Sequence, residues 1–386
     1  MSLLKVCNTY KSYISLTNRT RIRGTQFSAF FCGAIHIDTL HPRNCVQFST
    51  LGKEKSSSQT VQVTFTKSDA AKEETLAPPP RRTSSLLSDE TKLVDSLLQH
   101  TASLIDKNAS NIIAFSGGVD SSLAAALVHR SFQSSSSTLK TGHVKAVLGV
   151  SASLPDRQLS LARNVAASIG IDLEEAATTE GMDTTYVENN GQACLVCKSH
   201  LYAALEAVTK RAAVVGETSK KEVILFNGTN ADDTNDPTRL GLIAADNFSV
   251  RSPLINISKD EVRRAARHLS LPNWDYAASP CLRSRLALGV EATTKHLQAV
   301  SLAEDRVRDV LCLDETMNLR VRMLAGKKAM VEVDQKWFEI EDSGPTDPII
   351  DAEILLKSHG FDEYCKTLGF EGGMGVRPFK SGAVSR

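Results

Sequence analysis

Residues 111–127, NIIAFSGGVDSSLAAAL, give the clearest indication of the fold. Its apolar residues 112–115 are typical of a short buried strand, and the apolar spacing after them predicts a helix at residues 121–129. Between the two lies Ser-Gly-Gly, where glycine allows the backbone to curl until successive N–H groups converge. The helix that follows adds the positive end of its dipole. The pattern therefore predicts a strand, an anion-binding turn and a helix.

The residues around this turn favour a phosphate group as the anion, and the resemblance described below implies that it belongs to ATP. A carboxylate at Asp120 would repel a phosphate unless it holds a magnesium ion that bridges the phosphates. Hydroxyls at Ser121 and Ser122 can donate hydrogen bonds. The candidate ATP-binding residues are therefore Ser116, Gly117, Gly118, Asp120, Ser121 and Ser122. The alternative is an ordinary strand–turn–helix in which Asp120 only caps the helix.

Strands alternate with helices over the central part of the chain, which predicts an α/β fold with a doubly wound parallel sheet. The predicted strands span 112–115, 144–150, 171–176 and 223–226, and the predicted helices span 89–106, 121–129, 156–169, 198–208 and 259–268. In such a sheet, ligands bind outside the carboxyl ends of the strands. The glycine turn is therefore predicted to lie at the ligand-binding edge.

The character of the sequence changes after residue 289. A predicted helix at 293–311 is followed by predicted strands at 319–323 and 329–333 and a helix at 350–368. We therefore expect a nucleotide-binding domain at 89–289 and a smaller C-terminal α+β domain at 290–386.

The N-terminal region differs from both. Residues 1–37 carry basic side chains and no acidic one, and many serines and threonines lie among them. This bias predicts an organelle transit peptide at 1–52, mitochondrial rather than plastid, with a cytoplasmic protein as the alternative. Residues 53–88 are rich in Ser, Thr, Lys, Glu and Pro, which predicts a disordered linker.

Composition excludes some partners. The 386 residues carry 45 basic and 44 acidic side chains, a net charge of +1, which disfavours nucleic acid as a partner. No apolar run reaches the roughly 18 residues of a spanning helix, so no membrane partner is expected. A homo-oligomer is left open.

Three cysteines have the spacing of metal ligands. Cys194 and Cys197 form a CxxC, and Cys281 lies in YAASPCLRSRL, residues 276–286. A CxxC can place two thiolates on one metal, and a distant cysteine can complete a three-ligand site. A structural zinc would need four ligands, whereas a 4Fe-4S cluster held by three cysteines keeps one iron open. The alternative is three unreactive thiols.

Several motifs together resemble a known family. SGGVDSS resembles the pyrophosphate loop of the PP-loop (N-type) ATP pyrophosphatases, which cleave ATP to pyrophosphate and an adenylated substrate. With NGTNADD (227–233), the CxxCK segment (194–198) and RSPLINISKDEVRRAARHLSLPNWDYAASPCLRSR (251–285), the chain resembles the LarE family of ATP-dependent sulfur transferases. The resemblance covers about residues 90–340 and, more weakly, the C-terminal tail.

The resemblance implies a function. Members adenylate a carboxylate of a pyridinium dicarboxylate mononucleotide and replace it with a thiocarboxylate, so ATP, magnesium, a small-molecule carboxylate and a sulfur donor are expected. In one branch the cysteine matching Cys281 gives up its sulfur and becomes dehydroalanine. In another, three cysteines hold a 4Fe-4S cluster, and Cys194, Cys197 and Cys281 place this chain with that branch.

The resemblance also implies further site residues. Arg285, Arg320 and Arg322 match arginines that bind a substrate phosphate, and we expect Lys198 to neutralise phosphate charge and Asp232 to share the magnesium ion with Asp120. Solvated side chains are the alternative for the arginines and Lys198, and a turn-forming role is the alternative for Asp232. The chain departs from the family in having Ala193 where an arginine is usual and Arg283 where alanine is frequent.

Two other enzyme activities remain open. A tRNA thiolase could share the loop and the cysteines, but paired zinc fingers and a basic RNA surface are not evident. An amide-forming synthetase of the NAD or GMP type would not need the cysteines. A non-catalytic nucleotide-binding scaffold would bind ATP without releasing pyrophosphate.

Overall fold

The computed structural model of the protein describes residues 84–134, 141–214, 222–235, 240–340 and 347–380, together with short strands between residues 13 and 65. The chain divides into two compact units, residues 1–81 and 82–386. Predictions for the transit peptide (1–52) and the linker (53–88) fall largely outside the described residues and remain predictions.

The described part of the first unit consists of short strands. These are β1 (Tyr13–Ile14), β2 (Thr20–Gly24), β3 (Phe27–Ala29), β4 (Ile35–His36), β5 (Val46–Thr50) and β6 (Gln59–Phe65). Strands β1 and β4 pair with each other, and the others form a sheet in the order β3-β2-β6-β5.

A parallel sheet forms the centre of the second unit. Its strands are β7 (Ser110–Ala114), β8 (His143–Val150), β9 (Leu173–Ala177) and β10 (Val223–Phe226). They lie in the order β10-β7-β8-β9, with parallel pairing throughout. The chain builds outward from β7 to β9 and then returns to the other side of β7. The strand order therefore reverses between β7 and β10, which is where a ligand crevice forms in such sheets.

Helices cover both faces of this sheet. They are α1 (Ser84–Leu104), α2 (Val119–Gln133), α3 (Asp156–Ile169), α4 (Thr184–Glu188), α5 (Ala193–Val214), α6 (Ala231–Thr234), α7 (Gly241–Asn247) and α8 (Lys259–His268). Strand β7 is buried along its length: Ile113 packs with residues of α2 and α3, whereas Ile112 packs with residues of α5 and α7. The predicted doubly wound α/β fold is confirmed. No helix among the described residues is long and apolar enough to cross a membrane.

The helices before and at the CxxC differ from prediction. Helix α5 begins at Ala193 instead of residue 198, so Cys194 and Cys197 lie in its first turns. Ala193 is fully buried, and this apolar anchor extends the helix toward its N-terminus. The short α4 was not predicted; it starts where the Asp183 side chain accepts a hydrogen bond from Thr185 N.

The C-terminal part contains a smaller mixed sheet, as predicted. Its elements are α9 (Thr294–Leu311), β11 (Leu319–Met323), β12 (Ala329–Val333), α10 (Gln335–Ile340), α11 (Pro348–Ser358), α12 (Phe361–Leu368) and β13 (Met374–Pro378). Strand β12 pairs antiparallel with β11 and parallel with β13. One predicted helix (350–368) is two, because Gly360 adopts a left-handed φ of 70° between them. Strand β13 was not predicted, since its glycine-rich sequence lacks a strand pattern.

Candidate active site

The glycine turn after β7 adopts a conformation that requires glycine. Gly117 has a φ of +71°. A Cβ at this position would lie 2.7 Å from Ala162 Cα, because α3 packs closely against the turn. Both the backbone angle and the space therefore exclude other residues.

Two side chains that sequence reasoning missed hold the turn in place. Gln158 Nε2 donates to Ser116 O at 2.6 Å, and Asn273 Nδ2 donates to Gly117 O at 2.7 Å and to Ser122 Oγ at 3.1 Å. Asn273 is 1% exposed, and its Oδ1 has no hydrogen-bond partner among the described residues. The turn carbonyls are thus anchored from two other elements, which preorganises the backbone.

The predicted serines shape the turn directly. Ser121 Oγ and Ser122 Oγ both donate to Gly118 O, at 3.0 and 2.9 Å, and Ser116 N donates to Ser121 Oγ at 3.2 Å. Helix α2 starts at Val119, so the N–H groups of its first turn have no acceptor within the helix. These N–H groups can donate hydrogen bonds to the oxygens of a phosphate.

Asp120 lies in a small polar network at the crevice. Its carboxylate accepts hydrogen bonds from Asn230 Nδ2, at 2.9 Å, and from Lys259 Nζ. The Lys259 backbone N–H donates to Asp232 Oδ2 at 2.9 Å. Asp120 and Asp232, the two carboxylates expected to hold magnesium, therefore both bond Lys259. The sequence did not predict a role for Lys259.

A close approach of two loops makes this network possible. A Cβ at Gly228 would lie 2.6 Å from the carbonyl carbon of Asp120, so the loop after β10 lies directly against the start of α2. Asn230 then caps α6 by accepting from Asp233 N at 3.1 Å. Asp233 is used in this capping box, whereas Asp232 turns to Lys259.

The three predicted cysteines are neighbours. Cys194 and Cys197 lie one turn apart on α5, and Cys281 immediately precedes the 3-10 turn Leu282–Arg285. Burial raises the pKa of the Cys197 thiol to about 12; nearby Cys281 and Cys194 also raise it, and Lys198 lowers it. The thiols are close enough to influence one another, and the exposed Lys198 lies beside them.

Arg283 contacts the cysteines directly. Its Nη2 donates to Cys194 Sγ at 2.6 Å and its Nη1 to Asn189 Oδ1 at 3.0 Å. Burial acts to lower the pKa of Arg283, but the neighbouring Cys194, Cys281, Tyr186 and Cys197 raise it, and the net shift is upward. Cys194, which this cation contacts, directly follows Ala193. At the position of Ala193, the family that the sequence resembles usually has an arginine. An arginine from the Cys281 segment thus supplies positive charge beside Cys194.

Two further buried groups border the cysteines and were not predicted. Glu180 is 2% exposed, and its Oε2 has no hydrogen-bond partner among the described residues. Burial raises the pKa of Tyr186, and nearby Cys281 raises it further. Neither Glu180 nor Tyr186 lies in a recognisable motif, so the sequence gives little indication that they border the cysteines.

The three predicted arginines converge in the interior. Arg285 is 1% exposed and bonds both oxygens of Glu304, at 2.8 and 3.2 Å. Arg322 Nε donates to Glu332 at 2.7 Å. Arg320 is 6% exposed, and no carboxylate among the described residues pairs with it. Burial, and then the charge of Arg285, lowers the pKa of Arg320 to about 9.

One segment, residues 273–285, connects these parts. Asn273 contacts the glycine turn, the carbonyl of Ala278 accepts from Arg320, and the carbonyl of Cys281 accepts from Arg285 Nη1 at 3.2 Å. Cys281 lies eight positions after Asn273, which limits the distance between them to about 28 Å even in a fully extended chain. One short segment therefore links the glycine turn, the thiol and the buried arginines.

The described residues contain no group of three or more His, Cys, Asp or Glu side chains arranged to hold a metal ion. Neither the aspartates beside Lys259 nor the cysteines beside Arg283 form such a group.

Comparison with known proteins identifies two relatives. The chain is 34% identical to the uncharacterized protein slr1717 of Synechocystis over 218 residues, which is 56% of this chain and 75% of that protein. It is 27% identical to the pyridinium-3,5-bisthiocarboxylic acid mononucleotide synthase of Lactiplantibacillus plantarum over 201 residues, which is 51% of this chain and 67% of that enzyme. No family model matches the chain.

Proposed function

The chain belongs to the same protein family as the Synechocystis protein, and from this and its similarity to the Lactiplantibacillus synthase we propose that it is a LarE-like, ATP-dependent sulfur transferase. It adenylates a substrate carboxylate, releases pyrophosphate and converts the acyl adenylate to a thiocarboxylate. The observation that carries the proposal is segment 273–285, which contacts the glycine turn, contains Cys281 and bonds the buried arginines.

The first step is attack of the substrate carboxylate on the α-phosphorus of ATP. The first-turn N–H groups of α2 bind the pyrophosphate that leaves, and Lys259 places a positive charge beside Asp120 at the same point. Magnesium bound by Asp120 and Asp232 would supply the Lewis acid for this step. The two carboxylates fit that ion in chemistry, since each offers oxygen ligands at the crevice.

The second step replaces AMP with sulfur. A carboxylate is a poor electrophile, and attached AMP provides a good leaving group. The Cys281 thiolate attacks the acyl carbon and expels AMP, which forms a thioester. Removal of the α-proton of Cys281 then breaks its Cβ–S bond, releases the thiocarboxylate and leaves dehydroalanine.

A 4Fe-4S cluster is the other sulfur source that the resemblance implies. The thiols of Cys194, Cys197 and Cys281 are the donors that would hold it, and the Arg283 guanidinium at Cys194 would offset part of its negative charge. The cluster would supply sulfide as the nucleophile. Iron and sulfide analysis of anaerobically purified protein tests for it.

The substrate carries a phosphate in this proposal. Arg320 is a buried cation without a carboxylate partner among the described residues, and burial of such a charge is costly unless an anion accompanies it. A phosphate monoester offers oxygens that match an arginine fork. A pyridinium dicarboxylate mononucleotide has both the phosphate for Arg320 and the carboxylate for adenylation.

Two products measured together test the function. The purified full chain is incubated with Mg-ATP and the pyridinium dicarboxylate mononucleotide, pyrophosphate is followed by a coupled assay, and the pyridinium product is analysed by mass spectrometry. We expect substrate-dependent pyrophosphate and a product in which sulfur replaces one carboxylate oxygen. Pyrophosphate with an amide product, or with thiolated tRNA only, would assign another function.

A mitochondrial location remains part of the proposal. Its support is the basic, acid-free composition of residues 1–37. Fusion of residues 1–52 to a fluorescent protein tests it: accumulation in mitochondria supports the assignment, and a plastid or diffuse cytoplasmic signal contradicts it.

A further inference from the structure

The C-terminal strand β13 completes the arginine cluster. Strand β12 lies between β11 and β13, and its Glu332 lies opposite Arg320 on one side and opposite Arg377 on the other. Side chains that lie opposite each other in adjacent strands share a face of the sheet and can interact. Arg320, Glu332 and Arg377 therefore form a row across this small sheet.

Glu332 does not pair with the arginine opposite it on β11. Arg377 bonds Glu332 Oε1 through both Nε, at 3.0 Å, and Nη2, while Arg322 Nε bonds Oε2 at 2.7 Å. Glu332 is 1% exposed, so these bonds are made in a desolvated environment. Both oxygens of Glu332 are therefore engaged by Arg377 and Arg322.

Arg320 consequently has no carboxylate hydrogen-bonded to it among the described residues. Its Nη1 and Nη2 donate to backbone carbonyls, those of Leu319 and Ala278. The residue that follows β13, Phe379, places its ring 5.2 Å from the Arg320 guanidinium carbon. Phe379 is held there by a 2.7 Å hydrogen bond from its N–H to Val333 O. The aromatic ring covers one face of the guanidinium and lowers the dielectric around it, which strengthens its interaction with an anion bound at the other face.

We propose that Arg377 is a positioning residue for substrate phosphate: by holding Glu332 it keeps Arg320 free to bind the phosphate monoester, and Phe379 shields the guanidinium. The proposal rests on the function proposed above. The exposed Arg377 acts through Glu332, because without Arg377 that carboxylate can turn to the arginine opposite it. Neutralised by Glu332, Arg320 would lose its attraction for the anion.

Binding measurements isolate the contribution of the phosphate. The full chain is titrated calorimetrically, without ATP, with the pyridinium dicarboxylate mononucleotide and with the same nucleoside lacking phosphate. The ratio of the dissociation constant of the nucleoside to that of the mononucleotide reports the contribution of the phosphate alone. Since a hydrogen bond to a charged group contributes about 1.5–3 kcal/mol, we expect Arg377→Gln to reduce the ratio by about 10- to 100-fold. Arg377→Lys should retain part of the wild-type ratio. Phe379→Ala should lower the ratio, and Phe379→Leu should lower it less.

A double substitution separates positioning from simple loss of charge. If Arg377 acts by occupying Glu332, then Glu332→Gln combined with Arg377→Gln should recover most of the wild-type ratio. Arg306→Gln is the matched control, because Arg306 is an exposed arginine on α9 that bonds the carbonyl of His359. It should leave the ratio unchanged.

Four results would overturn the proposal. An Arg377→Gln variant with the wild-type ratio would remove any role for Arg377, and an equal loss of affinity for both ligands would show a structural role only. A double variant no better than Arg377→Gln would show that Glu332 is not the intermediary. If the wild-type protein does not distinguish the two ligands, the phosphate site fails, whereas substrate-dependent pyrophosphate release would still support the proposed function.

Discussion

The ammonium of Lys259, the first residue of α8, donates to the carboxylate of Asp120 near the start of α2. The two residues are 139 positions apart in sequence. The contact joins the glycine turn to the helix that leads into segment 273–285. It also places a cation at the point where pyrophosphate would leave.

We expect substitution of either residue of this pair to impair pyrophosphate release. Asp120→Ala should abolish it, because the only carboxylate in the turn is lost. Lys259→Met should reduce the rate by about 10²- to 10³-fold, the usual effect of removing one group that stabilises developing charge. Lys259→Arg should retain more activity than Lys259→Met. The measurement is substrate-dependent pyrophosphate release at saturating ATP.

A surface lysine provides the control for that experiment. Lys366 on α12 makes an exposed ion pair with Glu363 at 2.6 Å, and Lys366→Met should release pyrophosphate at the wild-type rate. A Lys259→Met variant as active as wild type would show that its contact with Asp120 has no part in adenylation.

Substitution of Gly117 tests the geometry of the turn through stability. Gly117 and Gly170 have similar left-handed φ angles, +71° and +77°, but of these two only Gly117 has neighbouring atoms within 4 Å of the place that an added Cβ would occupy. Gly170→Ala should therefore cost only the backbone strain, about 1–2 kcal/mol. Gly117→Ala should cost more, because Ala162 must also move.

Denaturant unfolding measures both free energies. The difference between the two variants isolates the steric contact from the strain that they share. Equal losses of stability would mean that α3 does not pack against the turn as described.

The raised pKa of Cys197 predicts slow alkylation. Thiolates, not thiols, react with iodoacetamide, and a pKa of about 12 in place of 9.0 leaves Cys197 protonated at pH 8. As the pH rises toward 12 the thiolate forms and labelling should accelerate. Peptide mass mapping should show labelling of Cys197 about 10³-fold slower in the folded protein than in the denatured one, since each pKa unit changes the thiolate fraction tenfold.

The denatured protein serves as the internal control for this labelling. If Cys197 reacts at the same rate in the folded and denatured states at pH 8, its surroundings in the folded protein do not raise its pKa.

Local patterns were sufficient to predict the sheet and the turn. Apolar residues 112–115, the glycines and the apolar helix after them are adjacent in sequence, and their periodicities translate directly into β7 and α2. The arginines of β11 were also predictable as a pair, because alternate residues of a strand share a face. Short elements such as α4 and β13 were missed, since they depend on capping and on pairing with distant strands.

The residues that assemble the site could not be predicted, because their contacts are long-range. Asn273 reaches Gly117 across 156 residues, and Gln158 reaches Ser116 across 42. Lys259 lies in SKDEVRR, which is typical of a solvated helix start, and only the packing of α8 against α2 turns its ammonium toward Asp120. The sequence shows that Arg283 stands where alanine is frequent in the family, but only the fold shows that its guanidinium contacts Cys194.

In the proposed mechanism the glycine turn and Cys281 serve different steps, and one variant separates the two. Cys281→Ala is compared with wild type and with Cys365→Ala, which changes a buried free cysteine in the C-terminal core. Pyrophosphate and thiocarboxylate are quantified in the same single-turnover reaction. We predict that Cys281→Ala releases pyrophosphate but forms no thiocarboxylate, whereas Cys365→Ala forms both. Equal loss of both products in Cys281→Ala, or thiocarboxylate formed without Cys281, would contradict the account.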